Sequence, residues 1–419
     1  MSESGKSGES GESDESENKG TEKMDMFKQF KNFMPKDSDI SSYLYITIGI
    51  VTVLFLILFG WIYDRLDLEQ RTCTKLEKYY SSTVGKSYFT SVNTVTLGKT
   101  TSGNEFDVSN CILRNYYVKS AYNCCCGDGY KNNFVNLCAL EKCILNGCRF
   151  LDFEIYSYNN KPIVASSTAN NNFIKETYNS LDLEEVFTTI TSKAFNAVDT
   201  NCHRDPLILN FRIMSTNIST LEKIGSLIET HFDIASSGGD NFRLMKQHTY
   251  INGTILDVKM KDLYKTIIII CDFYPSNSIL ETNSALDKLK SYISLKGKSE
   301  FCKTYRYNQI LGRTTQFIDE TKRNYVIVLP NLTNSIINNE FATPYGYGCQ
   351  AICMKYQNYD ENLQAYNSTF LDSGNYSWKL KPLHLITNVL AGFVVVPFTT
   401  HRPLANVRAE IQSLLSRPG

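Results

Sequence analysis

Charged and amide side chains stand on two otherwise apolar segments of this 419-residue chain. In the first segment, strict alternation places Asp152 and Glu154 on one face of a predicted strand. In the second segment, Asn210 and Arg212 share a face in the same way. Paired carboxylates on a strand made for burial are costly unless they meet a cation or a metal. The pattern predicts either a polar barrel interior in which these groups face one another, or the exposed face of an edge strand.

The elements that would position these groups are alternating strands and helices from about residue 105 onward. The predicted strands are 149–156, 207–213, 266–273, 325–329 and 350–356. One helical pattern begins at Asp182, with Glu185 three residues later as in a capping box, and another covers residues 219–232. Such alternation predicts an α/β fold, for which a (β/α)8 TIM-type barrel is the commonest single-domain form at this length.

Short motifs in the same region resemble phosphoinositide-specific phospholipase C. Residues 146–154, Asn-Gly-Cys-Arg-Phe-Leu-Asp-Phe-Glu, look like the G-C-R-x-x-E-x-D segment of the X region of that family. Further matches follow in order: 162–164 (P-x-V), 183–195 (a helix ending in A-F), 206–209 (P-V-I-L), 348–357 (the G-C-Q strand of the Y region) and 376–382 (Y-x-L-K-P). The resemblance implies a distorted (β/α)8 barrel and phosphoric diester hydrolysis on phosphoinositides.

The resemblance also implies a general base and a general acid, both of which are histidines in that family. The aligned positions hold Tyr122 and Ser166 here. The five histidines of the chain lie elsewhere: His203, His231, His248, His384 and His401. A tyrosine hydroxyl ordinarily titrates near pH 10, and a serine hydroxyl is a weaker acid still. We therefore predict impaired catalysis, since each lost group contributes about 10²–10⁴ in rate.

A calcium ion held by one asparagine and three carboxylates is the cofactor that the resemblance implies. Asn123, Asp152 and Glu154 stand at three ligand positions, with the Asp and Glu exchanged, and Arg212 replaces the last carboxylate. A guanidinium is always charged, and its fork would reach both carboxylates and take the space of the ion. We expect an internal arginine–carboxylate network and no cofactor.

An uncharged apolar run, residues 40–63, precedes this region and is long enough to cross a bilayer. Aromatic residues stand at both of its ends, as at membrane interfaces. A cleaved signal peptide fits poorly, because a long polar segment precedes the run, and a buried core helix would show a polar face. We predict a single-pass membrane protein. Lys and Arg are equally frequent beside the two ends, so the topology stays open.

The predicted domain organisation has five parts. They are a disordered polar tail (1–39), the transmembrane helix (40–63), a polar stalk (64–104), the barrel (105–395) and a C-terminal tail (396–419). Within the first tail, residues 24–33 form either a short amphipathic helix on a membrane or a plain spacer. The apolar run 389–398 is too short to span and is either a buried strand or a membrane-dipping segment.

Charge and cysteine content narrow the possible partners. The chain has 43 basic and 43 acidic residues, so we expect no nucleic-acid partner. Its 13 cysteines are an odd number and show no two opposed C-x-x-C pairs, which favours buried or partly oxidised thiols over a zinc site. The abundance of Asn, Ile, Lys and Tyr is typical of AT-rich genomes and leads us to expect a large DNA virus as the source.

Three functions stay open on the sequence alone. The first is a membrane-anchored pseudoenzyme that acts as a lipid-binding or structural module, with a membrane lipid such as a phosphoinositide as its partner. The second is an active phosphodiesterase in which His203, or the thiols at 124–126 beside Asn123, replace the missing histidines. The third is a barrel with an unrelated substrate. An active site requires a titratable group within hydrogen-bond reach of the cavity.

Overall fold

The computed structural model describes residues 37–80, 96–99, 105–107, 111–169, 173–234, 242–246, 254–370 and 377–386. The chain divides into two units, Met1–Asp67 and Leu68–Gly419. The predictions for residues 24–33 and 389–398 fall outside the described residues.

The predicted membrane span lies in one long helix, α1 (Asp37–Tyr80). Every side chain from Ser41 to Tyr63 is exposed. Within the described part of the chain, α1 is the one helix long and apolar enough to cross a membrane, judged by length and composition. The helix continues past Tyr63, so the predicted start of the stalk falls inside it, and its residues from Leu68 belong to the second unit.

The second unit is built on a twelve-stranded sheet. Its strands are β1 (Tyr116–Ala121), β2 (Phe150–Tyr158), β3 (Lys161–Ala165), β4 (Leu181–Asp182), β5 (Leu207–Met214), β6 (Arg243–Leu244), β7 (Thr266–Phe273), β8 (Leu295–Lys296), β9 (Cys302–Arg306), β10 (Tyr325–Leu329), β11 (Ala351–Met354) and β12 (Trp378–Leu380). A separate antiparallel pair joins Thr96–Lys99 to Glu105–Asp107.

Eight parallel strands follow the cyclic order of a (β/α)8 barrel: β8-β7-β5-β2-β1-β11-β10-β9. Strands β3, β4, β6 and β12 lie off this path. Among the described residues, β8 and β9 share no ladder, so the ring is open at that point. This order confirms the predicted distorted barrel.

Ten α-helices belong to the described residues. After α1 they are α2 (Leu137–Leu145), α3 (Leu183–Ala194), α4 (Ile218–Ile228), α5 (Ile279–Thr282), α6 (Asp287–Tyr292), α7 (Tyr307–Ile310), α8 (Phe317–Arg323), α9 (Ala342–Gly346) and α10 (Glu361–Ser368). A π-helical turn, Glu229–Ile234, extends α4. The predicted helices at 182 and 219–232 are thus confirmed as α3 and α4. The capping box expected at the start of α3 is not formed, because the Asp182 side chain makes no capping hydrogen bond.

Strand β2 occupies a central place in the sheet, between β1 and β5. Its residues from Phe150 to Tyr156 are all buried, so the polar face of this strand points into the protein. The alternative of an exposed edge strand is therefore wrong. The barrel has a polar interior where β2 and β5 run side by side.

Candidate functional site

Four predicted site residues meet inside the barrel. Strands β2 and β5 pair in parallel with Asp152 opposite Asn210 and Glu154 opposite Arg212, so these side chains share one face. Asn123 follows the end of β1 with a φ of +43°, a left-handed conformation that asparagine tolerates better than most residues. These four side chains and that of Asn210 are all buried. The barrel therefore brings together groups that lie 89 residues apart in sequence.

The Arg212 guanidinium lies at the centre of the cluster. Its Nε and Nη2 donate to the two carboxylate oxygens of Asp152 at 2.9 and 2.7 Å. Its Nη1 donates to Oε1 of Glu154 at 2.5 Å. Its Nη2 also donates to Oδ1 of Asn123 at 2.7 Å. This planar fork holds two carboxylates at once, which a lysine ammonium at the end of a flexible stem cannot reproduce.

The outer lone pairs of both carboxylates are also engaged. The Asn210 Nδ2 donates to Oδ1 of Asp152 at 2.7 Å. Oε2 of Glu154 accepts from the Tyr156 hydroxyl at 2.8 Å and from the Ser167 backbone N–H at 2.9 Å. Buried carboxylates are tolerated when paired and hydrogen-bonded in this way. The network is complete without any further ligand.

These residues do not fit the calcium ion that the resemblance implies. Calcium takes six to eight oxygen ligands. The oxygens of Asn123, Asp152 and Glu154 that would ligate it all accept hydrogen bonds from Arg212 instead. Burial lowers the pKa of Arg212, but the two carboxylates more than offset this and hold it well above its usual value. A calcium ion would have to displace a buried positive charge.

Tyr122, which the sequence resemblance aligns with the first histidine, is a neighbour of the network. Its ring lies 4.9 Å from the Arg212 guanidinium carbon, in cation–π contact. Its hydroxyl accepts a hydrogen bond from Nη1 of Arg306 at 3.3 Å. Burial raises the pKa of Tyr122, and the nearby Arg212 and Arg306 lower it only in part. The hydroxyl therefore stays protonated at neutral pH and is a poor general base.

Ser166, which the sequence resemblance aligns with the second histidine, follows β3 and is fully buried. Its hydroxyl donates to the backbone carbonyl of Tyr130 at 2.9 Å. Ser166 and Tyr122 thus have different hydrogen-bond partners. The Ser166 hydroxyl supports the loop that carries Tyr130.

The groups expected to replace the histidines are not suited to that role. Burial raises the pKa of Cys126 to about 12 and that of Cys124 well above its usual value, so both thiols stay neutral. His203 precedes β5 and lies at the opposite end of the barrel from the network. One of its ring nitrogens contacts the Thr200 carbonyl at 3.1 Å.

Asp272 is a site residue that the sequence analysis missed. It pairs in register with Arg212 on the neighbouring strand β7 and is buried. Its Oδ2 lies 2.8 Å from Nζ of Lys298, and burial raises its pKa. In the sequence, Asp272 is a lone carboxylate after a run of isoleucines. No other charged residue stands on that strand, so no local pattern marks Asp272 as part of a site.

Solved structures similar to this chain include two PLC21 proteins and a bacterial phospholipase C. The crystal structures of L. pealei PLC21 and S. officinalis PLC21 match with TM-scores of 0.50 and 0.51 at 14% and 15% identity. Each match covers 66% of this chain and 38% of the other, so this chain aligns with well under half the length of those proteins. A calcium-dependent phosphoinositol-specific phospholipase C from a Pseudomonas species matches at 9% identity and a TM-score of 0.40, over 65% of this chain and 96% of that one.

No protein-family model and no curated protein matches the chain in sequence. At these identities the structural likeness shows the fold. The second unit is therefore a phospholipase C-like barrel. The placement of Arg212 at a metal-ligand position, and of Tyr122 and Ser166 at the histidine positions, stays a prediction from the sequence resemblance. The expectation of a viral source receives no support from these comparisons.

Proposed function

We propose that this chain is a membrane-anchored, phospholipase C-like protein that is catalytically impaired and acts as a lipid-binding or structural module. The observation that carries this proposal is the position of the Arg212 guanidinium, which is hydrogen-bonded to Asp152, Glu154 and Asn123. The family resemblance implies a calcium ion in that space, and the buried, hydrogen-bonded guanidinium fills it instead.

The lack of proton carriers supports the same conclusion. Cleavage of a phosphodiester by an internal hydroxyl requires one group to take a proton and another to give one. Burial raises the pKa of Tyr122, and the Ser166 hydroxyl already donates to a backbone carbonyl. Neither group exchanges protons readily near neutral pH.

Two features support a role at a membrane. One is the exposed apolar stretch of α1. The other is a set of exposed apolar side chains: Tyr158, Phe173, Ile174 and Tyr178. Phe173 borders an open depression beside Ser157 and Met214, at the C-terminal ends of β2 and β5. These side chains would enter an interfacial layer on the side of the barrel where the network lies.

A phosphodiesterase assay tests the proposal. The full chain in detergent micelles is incubated with phosphatidylinositol and its bisphosphate, with and without calcium, beside an active phospholipase C. We expect no turnover above the uncatalysed background, while circular dichroism shows a folded protein. Turnover near that of the control enzyme would overturn the proposal.

The lipid-binding part has a separate measurement. The full chain is reconstituted in nanodiscs of phosphatidylcholine, with or without phosphatidylinositol. Head-group binding stabilises the folded barrel by mass action and raises its thermal midpoint in the inositol-containing discs. Equal thermal midpoints in both kinds of disc would exclude binding of the inositol head group. The structural role would then be the part of the proposal that stands.

The alternative is an active phosphoric diester hydrolase with rearranged acid–base groups. Asp272 favours it, because this buried carboxyl lies in register with Arg212 and burial raises its pKa above the ordinary value. If the natural chain turns over substrate, Asp272→Asn should abolish turnover and Lys298→Met should shift its pH profile. Activity that survives Asp272→Asn would exclude this mechanism.

A further inference from the structure

The last part of α1, residues 68–80, packs against the barrel within the second unit. It is called the 68–80 segment below. Leu76 and Tyr80 on this segment are 2% and 6% exposed. Both point toward the loops that follow β1 and β11, at the end of the barrel where the Arg212 network lies. The 68–80 segment therefore lies at the entrance to the candidate site.

Three kinds of contact hold the segment in place. The Tyr80 hydroxyl donates to the Tyr356 carbonyl at 2.5 Å, and its ring meets Tyr359 edge-on with centroids 5.5 Å apart. Lys75 pairs with Asp128 at 3.1 Å, and both side chains are about one-third exposed. The pair is therefore weak, whereas the two tyrosine contacts exclude water.

The 68–80 segment and the candidate site line a common small cavity. A cavity of about 10 Å³ lies between them, room for one water molecule. It is lined by Leu76 and Tyr80 on one side and by Tyr122, Asn123, Cys124 and Cys126 among others on the other side. Because Leu76 and Tyr80 form one wall, a ligand approaching Asn123 from this side meets the 68–80 segment first.

A disulfide between Cys73 and Cys138 joins the segment to the start of α2. Both cysteines are partly exposed, whereas the other eleven are buried. The Cys73–Cys138 disulfide is thus accessible to a soluble reductant. Gly127, in the loop after β1, leaves no spare room beneath the segment, since an added Cβ would lie 2.4 Å from the Thr72 methyl.

We propose that the 68–80 segment is a lid over the barrel entrance and that the Cys73–Cys138 disulfide locks it shut. A dithiol reductant supplies two electrons and two protons. The S–S bond breaks, Cys73 and Cys138 become thiols, and the dithiol becomes a disulfide. The weak ion pair and the tyrosine contacts then hold the lid alone, and local opening exposes Asn123 and its neighbours. The inference concerns access to the site and holds whether or not the site binds a lipid.

Thiol labelling tests the lid in the full chain in detergent micelles. Peptide mapping first establishes that Cys73 and Cys138 are linked in the oxidised protein. A maleimide is then applied to the natural chain and to the Cys73→Ser/Cys138→Ser variant, and labelling of Cys124 and Cys126 is followed by mass spectrometry. Without the disulfide, only the non-covalent contacts keep the segment closed, so we expect these thiols to react about tenfold faster or more in the variant. A tenfold rise in the open population corresponds to about 1.4 kcal/mol of lost protection. Cys271, buried on β7, should stay unlabelled in both.

A wedge at Gly127 provides a test with the disulfide intact. Gly127→Ala pushes on Thr72 and on Nδ2 of Asn136, 2.7 Å from the added carbon. Gly129→Ala in the same loop is the control, since its added carbon meets nothing closer than 3.2 Å. Hydrogen exchange in residues 68–80 should accelerate in the first variant and not in the second. Unlinked Cys73 and Cys138, equal labelling of Cys124 and Cys126 in the natural chain and the cysteine variant, or exchange that does not distinguish the glycine variants would each overturn the lid.

Discussion

Replacing Arg212 with methionine removes the positive charge at the centre of the barrel and keeps a side chain of similar length. The substitution leaves Asp152 and Glu154, which are 0% and 1% exposed, without their cation. It also removes four hydrogen bonds from the guanidinium. Breaking a buried ion pair by removing one partner costs about 3–5 kcal/mol. Because one cation here serves two carboxylates, we expect Arg212→Met to lower the free energy of unfolding by about 5 kcal/mol.

The assay is chemical unfolding of the full chain in detergent at neutral pH. Fluorescence of Trp378, which is buried and donates to the Pro206 carbonyl at 3.2 Å, reports on the barrel. The matched control is Arg212→Met combined with Asp152→Asn and Glu154→Gln. It should recover most of the stability, since no unpaired charge stays buried.

A second substitution at position 212 tests whether Arg212 keeps a metal ion out of the site, separately from its ion pairs with the two carboxylates. Arg212→Glu rebuilds the set of one asparagine and three carboxylates that the family resemblance implies. We expect calcium to stabilise this variant by about 2.7 kcal/mol at 100 times its dissociation constant, and to leave the natural chain unchanged. If Arg212→Met were as stable as the natural chain, or if calcium stabilised the natural chain, the account of Arg212 as a built-in replacement for the metal would be refuted.

Three further results are expected. The Tyr122→His/Ser166→His variant restores histidines at the two positions that the resemblance implies. It should show no calcium-dependent turnover in the phosphodiesterase assay, because the Arg212 guanidinium still occupies the space expected for the metal. Turnover at a rate typical of the family would contradict this prediction. Cys73→Ser/Cys138→Ser should lower the free energy of unfolding by about 4 kcal/mol, since the bond joins residues 65 apart, and an unchanged denaturation midpoint would count against the cross-link. Burial lowers the pKa of Lys381 to about 7, so the unfolded state binds more protons between about pH 7 and 10 and stability rises with pH there. Lys381→Met should reduce that slope in pH-dependent unfolding by about 1.4 kcal/mol per pH unit, and an identical slope would show that Lys381 does not titrate as described.

Local patterns predicted the strands well, because alternation and apolar runs reflect burial directly. The predictions for 266–273 and 325–329 match β7 and β10 residue for residue. The capping box at Asp182 failed because an isolated short motif competes with other arrangements of the loop. Asp272 was missed because its importance comes from its neighbour on another strand, Arg212, which no local pattern shows.

The sequence resemblance alone led to the prediction that two family histidines are replaced and that Arg212 stands where a carboxylate is expected. Residue types also determined one apolar run long enough to span a bilayer. Only the tertiary structure decided that Arg212 contacts Asp152, Glu154 and Asn123 together, because parallel pairing of β2 and β5 and the turn after β1 set those distances. It likewise decided that residues 68–80 close the barrel entrance. Contacts between segments far apart in the chain depend on the whole fold, and a one-dimensional pattern carries no information on them until the strand order is known.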